Sequence, residues 1–186
     1  TVTPATRSVC VGGSTTFSST ITGGTNVTYQ WQRSTDGGLT WSDISGQTGS
    51  SLTVSASNTN MTGYRYRVVA SSGACSSFTS TNAGTLTVNA LPNVTLTTPA
   101  SSIIPGVNTT VTATSTPAAA TTNSWSWTLN GANIAGTGNA QSVNIDQLGT
   151  YQATVTDVNG CVNLSNQLTI TAGASDKLWI YPNPTP

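Results

Sequence analysis

Charge is what this sequence most lacks. Five Lys and Arg stand against five Asp, His and Glu are absent, and charged residues make up 5% of the 186 residues. An ordinary soluble domain carries roughly 25%. With a net charge of zero and no basic cluster, nothing is available to neutralise a phosphate backbone, so nucleic acid is excluded as a partner. Without His, and with cysteine only at Cys10, Cys75 and Cys161, the chain offers no zinc site. Its acids, Asp36, Asp43, Asp146, Asp157 and Asp176, are too scattered for a calcium cage. No cofactor is expected. No apolar run approaches the roughly 18 residues of a membrane helix, so no membrane span is predicted. Helix-forming Glu, Lys and Arg are nearly missing as well, which counts against an α-helical fold.

What is abundant is hydroxyl. Ser and Thr together make up about a third of the chain. Thr favours strands because its branched Cβ suits a pleated surface. The apolar residues recur with period two: Val27, Tyr29 and Trp31 fall on one face, as do Tyr64, Tyr66 and Val68. Turn signals follow every 8 to 12 residues or so, at Gly12-Gly13, Gly23-Gly24, Asp36-Gly37-Gly38, Asn130-Gly131 and Asn159-Gly160. Short alternating strands at that spacing predict a sandwich.

The chain also repeats itself. Ser8 to Phe17 resembles Ser102 to Val111, and Tyr29-Gln30-Trp31-Gln32 resembles Trp125-Ser126-Trp127-Thr128. Gly63-Tyr64-Arg65-Tyr66 runs on to Cys75, and Gly149-Thr150-Tyr151 runs on to Cys161. Each copy closes with a strand, Thr85 to Val88 and Gln167 to Ile170. The sequence therefore predicts two modules, 1–89 and 93–172, joined by 90–92, with 173–186 beyond them. Pro92 holds Leu91 extended, and a linker this short should be semi-rigid. The chain starts mid-pattern and ends mid-motif, so it reads as a fragment of something longer.

Both copies resemble the immunoglobulin-like and PKD-like repeats of large bacterial surface proteins. The first resembles them closely, through Cys10, Phe17, Tyr29-x-Trp31-Gln32, Ser34-x-Asp36-Gly37-Gly38-x-Thr40-Trp41, Tyr64-x-Tyr66-Arg67 and Cys75; the second resembles them more loosely. The resemblance implies an all-β fold of two tandem antiparallel β-sandwiches. It implies that Trp31 and Trp127 sit at the centre of each core. It places Tyr66 and Tyr151 where related sandwiches carry a corner tyrosine. The end of the chain, Leu178 to Thr185 with Tyr181, Pro182, Asn183 and Pro184, resembles the opening of a C-terminal sorting domain of the type IX secretion system. That resemblance implies export across the outer membrane of a diderm bacterium. The partners it implies are the secretion machinery and upstream domains of the same protein, with a surface polysaccharide or another protein as a further possibility.

Several constellations bear on function. Ser34, Asp36, Gly38, Thr40 and Trp41 fit the Asp-box pattern, which recurs in sialidases. Sialidases also need an arginine cluster, an acid and a tyrosine nucleophile across several blades, whereas this chain has one box and Arg7, Arg33, Arg65 and Arg67. The box is thus expected to be a structural hairpin, and no enzymatic activity is predicted. Cys10 and Cys75 bracket the first copy and are expected to pair in an oxidising compartment. Cys161 aligns with Cys75, but Ile104 stands where Cys10 would, so a free thiol is predicted. That thiol is read as a tolerated relic or as a link to another chain or module. Asp157, beside Asn159-Gly160, is read as a turn-former. Trp125 is read either as a candidate for stacking on a ligand or, since it shares a face with Trp127 by period two, as buried with it. The functional expectation is a non-catalytic structural or adhesive stalk. The alternative is a carbohydrate- or matrix-binding module of a larger secreted hydrolase.

Overall fold

The computed structural model describes residues 1–22, 26–73, 76–104, 106–116, 124–135, 137 and 140–174. Chain contacts divide it into two units, Thr1–Leu91 and Pro92–Pro186.

The first unit contains strands β1 (Val2–Thr3), β2 (Thr6–Cys10), β3 (Ser14–Ser19), β4 (Val27–Ser34), β5 (Ser42–Asp43), β6 (Ser51–Ser55), β7 (Arg65–Ser72), β8 (Phe78–Thr79) and β9 (Gly84–Asn89), with a 3-10 turn at Thr59–Met61. One sheet has the order β1-β3-β6. The other has the order β2-β9-β7-β4-β5, with β8 also on β7. The opening segment changes sheets. β1 pairs antiparallel with β3, whereas β2 pairs parallel with β9, from Thr6 opposite Thr85 to Cys10 opposite Asn89. Pro4 lies between the two pieces, where a missing N–H interrupts any continuous ladder.

The second unit repeats this plan with β10 (Asn93–Thr97), β11 (Ser102–Ile103), β12 (Thr109–Thr116), β13 (Ser124–Leu129), β14 (Ala132–Asn133), β15 (Ser142–Ile145), β16 (Gly149–Thr156), β17 (Val162–Leu164) and β18 (Leu168–Ala172). Its sheets have the orders β10-β12-β15 and β11-β18-β16-β13-β14, with β17 on β16. Here Pro99 lies where the opening segment changes sheets, and β11 pairs parallel with β18. Two facing sheets, a split first strand and a parallel pairing of its second half with the last strand make each unit an immunoglobulin-like sandwich.

Period-two alternation builds each core. β7 buries Tyr66, Val68 and Ala70, and β16 buries Tyr151, Ala153 and Val155. The core of the first unit gathers Phe17, Trp31, Leu52, Tyr66, Val68 and Leu86 with smaller neighbours. That of the second gathers Val111, Trp125, Trp127, Ile145, Tyr151 and Ile170. Burying one large side chain of this kind is worth roughly 1.5–3 kcal/mol. Trp31 and Trp127 are 0% and 1% exposed. Each indole satisfies its N–H on a backbone carbonyl, Trp31 Nε1 donating to Gly49 O at 2.9 Å and Trp127 Nε1 to Ala140 O at 2.8 Å.

Candidate functional site

The hairpin after β4 is organised by one carboxylate. Asp36 accepts from Ser34 Oγ at 2.7 Å, Leu39 N at 3.0 Å, Thr40 N at 2.9 Å and the Thr40 hydroxyl. Ser34 Oγ in turn accepts from Gly38 N at 2.7 Å, and Trp41 Nε1 donates to Gly38 O at 3.0 Å. Gly37 and Gly38 have φ values of 76° and 104°, which a residue with a Cβ adopts only under strain. The Thr40 hydroxyl is the first cause that holds the Asp36 carboxyl well below the usual carboxylate range, followed by the Thr40 backbone N–H and the Ser34 hydroxyl. A carboxylate held ionised by this many donors is poorly suited to passing protons at neutral pH. These five residues are brought together, and together they shape a turn.

Beside the hairpin, the outer face of β7, β4 and β5 carries a polar chain. Arg67 lies opposite Gln32, and Gln32 lies opposite Asp43. Arg67 Nε donates to Gln32 Oε1 at 2.7 Å, and Gln32 Nε2 donates to Asp43 Oδ1 at 2.8 Å. The Arg67 guanidinium also sits 4.2 Å from the centre of the Trp41 ring, and Arg33 sits 5.7 Å from that of Tyr64. The Arg67 cation is thus engaged both by the Gln32 amide and by the Trp41 ring.

Three expectations are corrected by the structure. Cys161 is not a free thiol: Cys10 and Cys161 are both disulfide-bonded. With three cysteines in the chain, this also displaces the expected Cys10–Cys75 pairing; Cys75 itself lies outside the described residues. The alignment of the two copies identified which partner Cys161 had lost, but a repeat alignment carries no information about distances between cysteines. Trp125 is 8% exposed and belongs to a core, so it offers no stacking face. Period two places it on the same side of β13 as Trp127, and that side faces inward. Tyr66 and Tyr151 both lie near the start of their strands, but only one of them makes a corner bond. Tyr151 OH donates to Gln147 O at 2.8 Å. Tyr66 is equally deep, but its hydroxyl has no hydrogen-bond partner among the described residues. The first unit inserts a residue between Gly63 and Tyr66 relative to Gly149 and Tyr151, which alters the path of that corner.

Asp157 organises a turn, its Oδ1 accepting from Asn159 N and Cys161 N, each at 2.8 Å. The sorting-motif residues Tyr181, Pro182, Asn183 and Pro184 lie outside the described residues.

One device escaped the sequence reading. In both units the last strand breaks in two, and a Ser and an Asn hold the break. Ser80 N donates to Val68 O at 2.8 Å, Val68 N donates to Ser80 Oγ at 3.3 Å, and Ser80 Oγ donates to Asn82 O at 2.8 Å. Asn82 then reaches the opposite sheet, accepting from Val2 N at 2.8 Å and donating to Val2 O at 2.7 Å. The second unit repeats the arrangement. Ser165 N donates to Ala153 O at 2.8 Å, Ala153 N donates to Ser165 Oγ at 2.9 Å, and Asn166 Oδ1 accepts from Leu96 N at 2.7 Å. The signal was a Ser with an Asn one or two positions on, Ser80-Thr81-Asn82 and Ser165-Asn166, just before the closing strand of each copy.

Residues 1–90 match a family described as "Domain of unknown function (DUF8696)". That match takes in the Asp-box hairpin, the Arg67–Trp41 face and the first Ser–Asn latch. No curated protein matches the chain. Among solved structures, the N-terminal four Ig domains of Dscam1 isoform 6.9 are 16% identical with a TM-score of 0.41, covering 90% of this chain and 43% of that one. For isoform 8.4 the identity is 16%, the TM-score 0.41 and the coverage 91% and 43%. The N-terminal eight Ig domains of Down Syndrome Cell Adhesion Molecule isoform 1.30.30 are 14% identical with a TM-score of 0.41, covering 91% of this chain and 22% of that one. The chain spans less than half the length of these structures. Its immunoglobulin-like fold rests on the strand order of each unit.

Among the described residues, no group of three or more His, Cys, Asp or Glu is placed to hold a metal ion. No helix among them is long and apolar enough to cross a membrane.

Proposed function

We propose that the chain is a non-catalytic structural and adhesive stalk segment of a secreted or cell-surface bacterial protein. The observation that carries this reading is that one nine-strand plan is built twice, down to the same Ser–Asn latch. Side chains that sequence reasoning weighed for chemistry are committed to holding turns and cores. The half-cystines at Cys10 and Cys161 support an oxidising compartment outside the cytosol. The resemblance of Tyr181-Pro182-Asn183-Pro184 to a type IX sorting motif supports export by that system, with the sorting machinery and the upstream domains of the parent as partners.

Two deletions in the parent protein test this. Removing everything from residue 173 onward should trap the parent in the periplasm. Removing residues 1–172 should leave export intact and abolish attachment or reach at the cell surface. Export that survives the first deletion removes the type IX reading, and attachment that survives the second removes the stalk reading.

A further inference from the structure

Two guanidinium groups on the outer face of the first unit meet no acid. That unit holds all four Arg of the chain and two of its five Asp, Asp36 and Asp43. Asp36 is taken up by the hairpin turn and Asp43 by the Gln32 amide. No ion pair joins either acid to an Arg among the described residues. Arg65 and Arg67 are two positions apart on β7, so both side chains leave the same face, roughly 6–7 Å apart at the backbone. Like charges at that spacing repel, and an anion between them removes the repulsion.

The fork of Arg67 is held in advance. Asp43 Oδ1 accepts from Gln32 Nε2, Gln32 Oε1 accepts from Arg67 Nε, and the Trp41 ring lies against the guanidinium. The two terminal Nη groups are left without a hydrogen-bond partner among the described residues. Gly38 brings the second cation alongside: a Cβ there would lie 3.4 Å from Arg65 Nη1 and 3.7 Å from Trp41 Cζ2. The indole thus has both guanidinium groups beside it. Gln32, Gly38, Trp41, Asp43, Arg65 and Arg67 all fall within the continuous stretch 26–73. On the neighbouring strand Thr85 lies opposite Arg65, and Thr85 and Thr87 turn to this face while Leu86 and Val88 are buried.

We propose that Arg65 and Arg67 form a carboxylate-binding site for a uronate unit of an acidic polysaccharide. Arg67 offers a planar fork that meets a carboxylate through two parallel N–H···O bonds, and a fork already oriented loses less freedom on binding. Arg65 supplies the second charge. The threonines of β9 exchange hydrogen bonds with sugar hydroxyls as both donors and acceptors. An acidic peptide would set its further carboxylates against those hydroxyls rather than against cations. Two cations suffice for one carboxylate and fall far short of the row of phosphates in a nucleic acid. The site goes beyond the stalk reading and does not rest on it: the two deletions test export and attachment, whereas ligand binding is read on the chain alone.

The test is an amide-shift titration of the whole chain with trigalacturonate, set against maltotriose, galactose 6-sulfate and a tetra-aspartate peptide. Trigalacturonate should shift the amides of Arg65 and Arg67 and the Trp41 indole N–H saturably. Its affinity should fall about threefold or more as salt rises from about 50 to about 300 mM. Arg67→Lys keeps the charge and loses the fork, so it should weaken binding about fivefold or more. Arg65→Gln, at an exposed position, should weaken it about threefold or more. Arg7→Gln removes the same charge from β2 and should leave the affinity unchanged. The proposal is overturned if trigalacturonate does not bind, if the shifts fall elsewhere, or if Arg67→Lys or Arg65→Gln binds as the parent chain does. It is likewise overturned if Arg7→Gln weakens binding as much as Arg65→Gln, or if maltotriose, the sulfated sugar or the peptide binds as tightly as trigalacturonate.

Discussion

Asp36 and the two core tyrosines show how far one side chain's role depends on the donors around it. The Thr40 and Ser34 hydroxyls and the backbone N–H groups of the turn hold the Asp36 carboxyl below the ordinary range. A carboxyl depressed in this way favours the folded hairpin above the unfolded carboxylate range and stops doing so as pH falls through its folded value. In a carboxyl titration followed by NMR, Asp36 should protonate only well below the ordinary carboxylate range. Thr40→Val should raise its midpoint, and a midpoint near 4 in the parent chain would contradict the network. The tyrosines make a matched pair. Tyr151→Phe removes the bond to Gln147 O and should cost about 1 kcal/mol in denaturant unfolding. Tyr66→Phe removes a buried hydroxyl that has no partner among the described residues, so it should be neutral or slightly stabilising. Burial also pushes the Tyr66 hydroxyl up to about 12. Below about pH 10 the hydroxyl is neutral in both states and has no pH-dependent effect; as pH rises from about 10 towards 12 the unfolded chain ionises more readily and folding is progressively disfavoured.

At the scale of elements, the broken last strand depends on its latch. Asn82 carries both hydrogen bonds of Val2 from the opposite sheet. Asn82→Ala should cost roughly 1–3 kcal/mol by leaving those backbone groups unmet, and should speed amide exchange at Val2 first. Unchanged exchange at Val2 would show that β1 is held by other means. Strand β9 begins at Gly84, where an added Cβ would overlap the Phe17 ring. Phe17 is 0% exposed and stacks on Tyr66 with ring centres 5.3 Å apart, so it has no room to retreat. Gly84→Ala should destabilise by roughly 1–3 kcal/mol, read from the denaturant midpoint. Neither the partner that the latch Asn reaches nor this contact was legible in the sequence. Each joins residues about 65 to 80 positions apart, and period-two patterning reports only which side of a strand a residue faces.

For the molecule as a whole, the covalent prediction concerns the half-cystines. A digest of the unreduced protein treated with alkylating reagent should recover neither Cys10 nor Cys161 in alkylated form, and both should appear after reduction. Alkylated Cys161 in the unreduced digest would restore the free thiol. The all-β class and the immunoglobulin-like plan were legible because hydroxyl-rich, helix-poor composition, alternating strands and regular turn signals all point the same way.

The sequence by itself determined the class of fold, the repetition of the unit and the short-range chemistry of turns such as Ser34 to Trp41. Those depend on propensity and on neighbours within a few residues, which the order of residues states directly. Only the tertiary structure decided that Cys161 is bonded, that Tyr66 and Tyr151 differ, and that Asn82 reaches Val2 in the opposite sheet. Each of these depends on which distant backbone arrives at a given side chain, and facing two sheets sets that spacing while local pattern does not.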